Sequence, residues 1–134
     1  MKKEWEGLIK YRFQRALETK EEAKVLIQTG RLLGAVNRIY YAIFHAAKAV
    51  LATEKLDSSK HSGIIALFHE KFVHTGKIEK EYGKIIDEAF RSRSKSDYID
   101  YTTFDQETVT RLFKDCETFL ERIKSFLEEY IGKM

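Results

Sequence analysis

Apolar residues recur along this chain at three- and four-residue intervals, and no stretch shows the alternation of a strand. Trp5, Leu8, Ile9, Phe13, Ala16, Leu17, Ala23, Leu26 and Ile27 trace one face of a helix predicted from about Lys3 to Gln28. Thr29-Gly30 stops it, because Gly readily takes the left-handed conformation just past a helix end. A second helix follows after a very short turn, which makes the two antiparallel neighbours, and it ends near Thr53. On it Tyr40, Ile43, Phe44, Ala47, Val50 and Leu51 form a core stripe, while Arg38, Tyr41, Ala42, His45, Lys48, Ala49 and Ala52 lie on the adjacent face.

The polar run Leu56–Lys60 predicts a turn, with Ser58 or Ser59 capping a third helix that carries Ile64, Ile65, Leu67, Phe68, Phe72 and Val73 and ends at His74-Thr75-Gly76. A fourth helix begins near Lys77 and loses its apolar periodicity in Arg91–Tyr101, so residues 94–104 are expected to form the longest loop. The last helix starts near Thr103 or Asp105, since Thr103 and Gln106 are spaced as a capping box and Asp105 is the rival cap. Val109, Leu112, Phe113, Cys116, Phe119, Leu120, Ile123, Phe126, Leu127 and Tyr130 give it a long apolar seam. The expected fold is an all-α, up-and-down bundle of four long helices plus a shorter one, a single domain over residues 1–134.

Composition narrows the function classes. No apolar run reaches the ~18 residues of a membrane span, and the N-terminus lacks the apolar core of a signal peptide, so a cytoplasmic protein is expected. The single Cys116 allows no internal disulfide and no cysteine metal cage, and it falls on the seam of the last helix as a core residue. Charge is uneven: residues 1–96 carry 19 Lys/Arg against 12 Asp/Glu, and residues 97–134 carry 5 against 9. A basic body suits a polyanion such as RNA, although helical surfaces also carry charge for solubility alone.

Candidate chemistry concentrates on the second helix. Arg38 and His45 lie two turns apart, about 10 Å along the axis, and point the same way across a shallow strip of Tyr41 and alanines. An Arg fork can hold a phosphate and a His can move a proton near its own pKa. Equally, Arg38 could pair with an acid of another helix and His45 be a satisfied core-edge histidine. His69 and His74, at i and i+5, diverge by about 140° on an α-helix and so should not share a metal. Lys60 and His61 stand at a helix N-terminus, where two cations suit either an anion or a surface cap. Gly30-Arg31-Leu32-Leu33-Gly34 lacks the Lys-Ser/Thr of a phosphate loop.

The run Asn37-Arg38-Ile39-Tyr40-Tyr41-Ala42-Ile43-Phe44-His45-Ala46-Ala47-Lys48-Ala49 resembles the second helix of the HEPN superfamily (higher eukaryotes and prokaryotes nucleotide-binding), in particular its small stand-alone archaeal and bacterial members. Lys60-His61-Ser62-Gly63-Ile64 with Phe68 and Phe72-Val73 is similar to the third helix of that family, and Arg91 and Arg93 ahead of Asp97-Tyr98 to its Arg-x-x-x-Asp-Tyr region. The resemblance implies a helical bundle, usually a homodimer, often encoded beside a minimal nucleotidyltransferase as a toxin–antitoxin pair. Catalytic members cleave RNA without metal through Arg, a short spacer and His. Arg38-x6-His45 falls at the long end of that spacing, with the polar Asn37 before the Arg rather than after it. Members silenced by AMP transfer carry a Tyr two residues past the His, where this chain has Ala47.

These readings give catalytic roles to Arg38 and His45. Asn37, Tyr41, Lys48, Lys60, His61, Arg91, Arg93, Asp97 and Tyr98 are binding or supporting residues, and neither a cofactor nor a metal is expected. Metal-free RNA cleavage needs a base, an acid and a cation on the phosphorane, and one His and one Arg per chain are few, so two chains facing each other would complete the site. The face at Ala42, Ala49 and Ala52 is the expected contact between copies, and Arg91–Tyr101 is expected to lie near the strip. The alternative expectation is a non-catalytic module that binds a nucleotide or a nucleotidyltransferase through the same strip, and a third is a purely structural interaction domain.

Overall fold

The computed structural model describes residues 2–132, with side chains from residue 4. Its described residues form helices and no strand: α1 (Lys2–Gln28), α2 (Leu32–Ala52), α3 (His61–Phe68), α4 (Lys80–Tyr98) and α5 (Gln106–Ile131). This is the all-α bundle that the periodicity implies, with four long helices and one short one. α3 passes directly into a single π-helical turn, His69–Val73.

The α1–α2 hairpin is set by its turn. Gly30 takes φ +74°, Arg31 N–H donates to Leu26 O at 2.8 Å and Gly30 N–H to Ile27 O at 3.1 Å, so the last carbonyls of α1 are satisfied as the chain reverses. α2 then runs through the centre of the molecule and touches each of the other four helices. Thirteen of its 21 residues are buried, so it has no broad free face. The seam of α5 packs as expected, with Val109, Cys116, Phe119, Ile123 and Leu127 fully buried. Burial pushes the Cys116 thiol up to about 12, as suits a core residue.

Several local expectations need correction. Ala42, Ala49 and Ala52 do not form a contact surface for another copy: each is 0% exposed inside its own chain. Amphipathic reading assumes a peripheral helix, whereas a central one buries several faces at once, and alanine lets neighbouring helices approach closely. α4 starts at Lys80 rather than near Lys77, although Ile78 is still fully buried in the connector before it. The helix also outlasts its apolar pattern and continues to Tyr98. An i,i+4 ion pair, Arg93 Nε to Asp97 Oδ2 at 2.8 Å, supports this polar last stretch and shortens the expected loop.

Capping differs too. Lys60 occupies the N-cap position of α3 without a side-chain cap, and Ser58 Oγ instead accepts from Lys60 N–H at 3.2 Å. The Ser58 side chain fills the space a Cβ at Gly63 would need, so this turn is folded tightly onto the first turn of α3. Of the two rival caps of α5, Asp105 is the one used; its carboxylate accepts from Thr108 N–H at 2.7 Å. The π turn overturns the divergence expected of His69 and His74. His74 N–H donates to His69 O at 2.8 Å, and the two rings come to 5.9 Å between centroids. His69 Nε2 lies 2.9 Å from Asp87 Oδ1, and no group of three or more His, Cys, Asp or Glu among the described residues is arranged to hold a metal.

A charge at Ala49 should unfold the chain rather than merely separate copies. Ala49→Glu is expected to lower stability by about 4 kcal/mol or more, against a change within about 0.5 kcal/mol for exposed Ala66→Glu. Urea denaturation of both variants measures this, and an Ala49→Glu protein as stable as wild type would contradict the packing described.

Candidate functional site

Beyond its first turn, burial of α2 leaves one narrow strip only partly covered: Asn37, Arg38, Tyr41, His45 and Lys48. Spacings of three and four residues place Arg38, Tyr41, His45 and Lys48 in one row. α1 forms one wall of this row, and α3 and α4 form the other.

On the α1 side the hairpin register governs what faces what. Residues equally distant from Gly30 stand opposite each other, and the contacts follow that rule. Arg12 Nη1 donates to Lys48 O at 3.0 Å, Arg15 is the charge that acts most strongly on His45, and Arg38 Nη1 reaches Glu22 Oε1 at 3.4 Å. Arg12 also meets Asp57 Oδ2 at 3.2 Å and so ties α1 to the turn before α3. Arg38 is oriented mainly by its neighbour: Asn37 Oδ1 accepts from Nε at 3.0 Å and from Nη2 at 2.7 Å. Its guanidinium carbon lies 5.1 Å from the centre of the Tyr41 ring.

On the other side Arg93 of α4 reaches across. Its Nη2 donates to the Tyr41 hydroxyl at 3.3 Å, and its guanidinium carbon lies 5.2 Å from the Tyr40 ring and 5.6 Å from the Tyr41 ring. Arg93 Nε is near Asp97, but the angle is too poor for a hydrogen bond, and the atom is buried without a partner. His61, on the first turn of α3, stacks on Phe44 with ring centres 4.2 Å apart and an interplanar angle of 25°. Its Nδ1 is 2.9 Å from the hydroxyl of the fully buried Tyr40. Lys48 Nζ lies 5.9 Å from the Phe44 ring.

The strip therefore gathers most of the expected residues: Asn37, Arg38, Tyr41, His45, Lys48, His61, Arg93 and Asp97. Arg91 and Tyr98 are not among them. Positions 91 and 93 diverge by about 200° on a helix, and Arg91 lines a separate shallow recess with Phe90, Ser94, Lys95, Tyr98 and Ile99. Lys60 is exposed at the start of α3. Sequence reasoning missed Arg12, Arg15 and the Tyr40–His61 pair. The hairpin register could have found the two arginines, because a turn at Gly30 sets Arg15 against His45.

Electrostatics single out His45. Burial, and then the charges of Arg15, Lys48, Arg38 and Arg12, lower its pKa to about 4, so at neutral pH it is an uncharged imidazole within reach of four cations. It is thus a proton acceptor near pH 7 and not a group titrating there. His61 is shifted in the same direction by burial, Arg93 and Lys48.

Comparison with known proteins shows what this chain is similar to. The HEPN domain family model matches residues 9–126. A UPF0332 protein of Thermotoga maritima is 41% identical over 126 residues, spanning 94% of this chain and 96% of that protein. A protein of Methanocaldococcus jannaschii named "Putative toxin MJ0605" is 39% identical, spanning 92% of this chain and 94% of its own length.

A depressed histidine pKa has a stability signature. The unfolded imidazole titrates near 6.5, so between that pH and about 4 the unfolded chain binds the extra proton. Stability from neutral His45 is complete above pH 6.5 and is lost as the pH falls toward 4. Urea denaturation across this window should give a shallower pH dependence for His45→Gln than for wild type. Identical slopes would mean that His45 is not held neutral.

Proposed function

The chain belongs to the HEPN family, and from that membership and the geometry of the strip we propose that it is a toxin-type endoribonuclease acting without metal through Arg38 and His45. One observation carries the reading: a partly covered histidine whose burial, with cations of two helices, lowers its pKa. Such a group accepts a proton while the surrounding charge attracts a phosphodiester.

In the proposed reaction His45 takes the proton of the 2′-hydroxyl. The 2′-oxygen attacks the adjacent phosphorus, and the bond to the 5′-oxygen breaks as that oxygen gains a proton. Arg38, oriented by Asn37 and stacked on Tyr41, binds the phosphate and then the more highly charged phosphorane. Arg12 and Arg15 add positive charge from the facing helix, and Lys48 from α2 itself. The proton for the leaving oxygen comes from a second copy facing the strip. A bound phosphate raises the pKa of an imidazole beside it, so one of the two histidines can carry that proton. The contact between copies runs along the rims of the strip, since the alanines are enclosed. The name of the Methanocaldococcus relative supports a toxin role, with a minimal nucleotidyltransferase as its proposed partner.

Purified protein incubated with total RNA, with and without EDTA, tests the reading. Cleavage is expected in both, to be lost in His45→Ala with binding retained, and to be reduced together with binding in Arg38→Ala. Sedimentation should show a dimer. Activity that survives His45→Ala would refute the assignment. A wild type that binds RNA or a nucleotidyltransferase but cleaves nothing would identify a binding module on the same strip.

A further inference from the structure

Beside His45 the strip holds a second histidine whose chemistry is fixed by a buried neighbour. Tyr40 is completely buried, and among the described residues the one hydrogen-bond partner of its hydroxyl is His61 Nδ1, at 2.9 Å. Burial pushes the phenol well above its ordinary pKa, so it keeps its proton. A buried hydroxyl hydrogen with no acceptor is costly, so this one points at Nδ1 and makes that nitrogen the acceptor. The ring proton of neutral His61 then resides on Nε2, on the opposite side of the imidazole.

The ring is held firmly in that pose. One face stacks on Phe44, the Tyr41 ring meets it edge-on at 5.6 Å, and its backbone sits where Ser58 is folded onto Gly63. Nε2 has no hydrogen-bond partner among the described residues, while His61 itself is only partly covered. Lys48 and Arg93 are the cations that act on it. Lys48 Nζ lies 5.9 Å from the centre of the same Phe44 ring on which His61 stacks, so this N–H donor, with nothing to receive it, has a positive group nearby, which suits an anion.

We propose that Tyr40 is a positioning residue that locks His61 as an Nε2–H donor, and that His61 with Lys48 forms a second phosphate contact beside the one at Arg38 and His45. This rests on the reading of the strip as an RNA site and narrows its substrate class. A ligand with two successive phosphates, as in a single strand, engages both contacts, whereas a mononucleoside monophosphate engages one.

Two measurements on the full chain test this. Long-range nitrogen–proton NMR correlation reads the His61 tautomer directly; wild type should show Nε2–H, and Tyr40→Phe a mixture of both forms. Titration with the diribonucleotide pApA and with AMP reads the second contact. Wild type is expected to prefer pApA by about tenfold, the size of one hydrogen bond to a charged group. His61→Ala should lose that preference, its affinity for pApA falling to that for AMP. His61→Gln, which keeps an N–H donor at similar reach, should retain most of it, and this also guards against a folding defect in the alanine variant. A proton on Nδ1, or an equal preference in wild type and in His61→Ala and His61→Gln, would overturn the second contact and leave the RNA reading standing. Failure of wild type to bind either nucleotide would overturn both.

Discussion

Enclosure of α2 is the constraint on which the rest of the molecule depends. A helix contacted by four others cannot be amphipathic in the ordinary sense. Its small residues, Ala35, Ala42, Ala46, Ala47, Ala49 and Ala52, let its neighbours close in, and its large ones, Ile39, Tyr40, Ile43, Phe44 and Leu51, fill what remains. What is left is a strip about one residue wide, on which every side chain that is not apolar must stand. Polar chemistry on α2 is therefore concentrated by exclusion. It also rests on the most closely packed pair of helices, the hairpin of α1 and α2 closed by the Gly30 turn.

That enclosure explains what could be read from the chain alone and what could not. Periodicity of three to four residues found the helices, the core stripe of α2 and the seam of α5, because large apolar residues at helical spacing are buried whichever neighbours they meet. It misjudged Ala42, Ala49 and Ala52, because no single-helix pattern records how many other helices lie around it. The row of Arg38, Tyr41, His45 and Lys48 was legible from spacing, as was the segment that brings in Arg93. Arg91 was grouped with Arg93 on composition, and helical geometry separates them. Arg12 and Arg15 were hidden for a different reason. They are unremarkable on α1 alone and gain meaning only when the hairpin sets them opposite Lys48 and His45. The π turn at His69–Val73 was out of reach, since an i+5 hydrogen bond leaves no trace in a pattern scored at 3.6 residues per turn.

The charges on this strip are arranged unlike those of a helix made only to be stable. Elsewhere the chain pairs its ions between elements in the usual way: Arg111 of α5 with Glu88 of α4 at 2.8 Å, Arg122 with the α4 N-cap Glu79 at 2.7 Å, and Lys77 with Glu54 between two connectors. Along the strip the acids stay at the rim. Glu18 meets Arg15 at 3.2 Å, Glu22 meets Arg38 at a long 3.4 Å, Asp57 holds Arg12, and Asp97 lies beside Arg93 at a poor angle. The charges that shift His45 are four cations, Arg15, Lys48, Arg38 and Arg12. A structural role for His45 would be served better by an acid, which would hold the imidazolium and add stability.

Local rules of this kind are broken most often where function requires it. The missing negative charge is the informative feature, because a bound phosphate would supply it. It would neutralise Arg38 and Lys48 and raise the basicity of His45 at the moment a proton has to move. Arg93 is too enclosed by Tyr40 and Tyr41 to follow a ligand, so its part is to hold the wall of the strip in place. The cations free to respond are Arg15 on α1 and Arg38 and Lys48 on α2, since Arg12 is held by Lys48 O and Asp57, and the hairpin register sets Arg15 opposite His45. An anion seated there would be gripped by two helices at once, which joins recognition of the ligand to the most strongly packed pair in the fold.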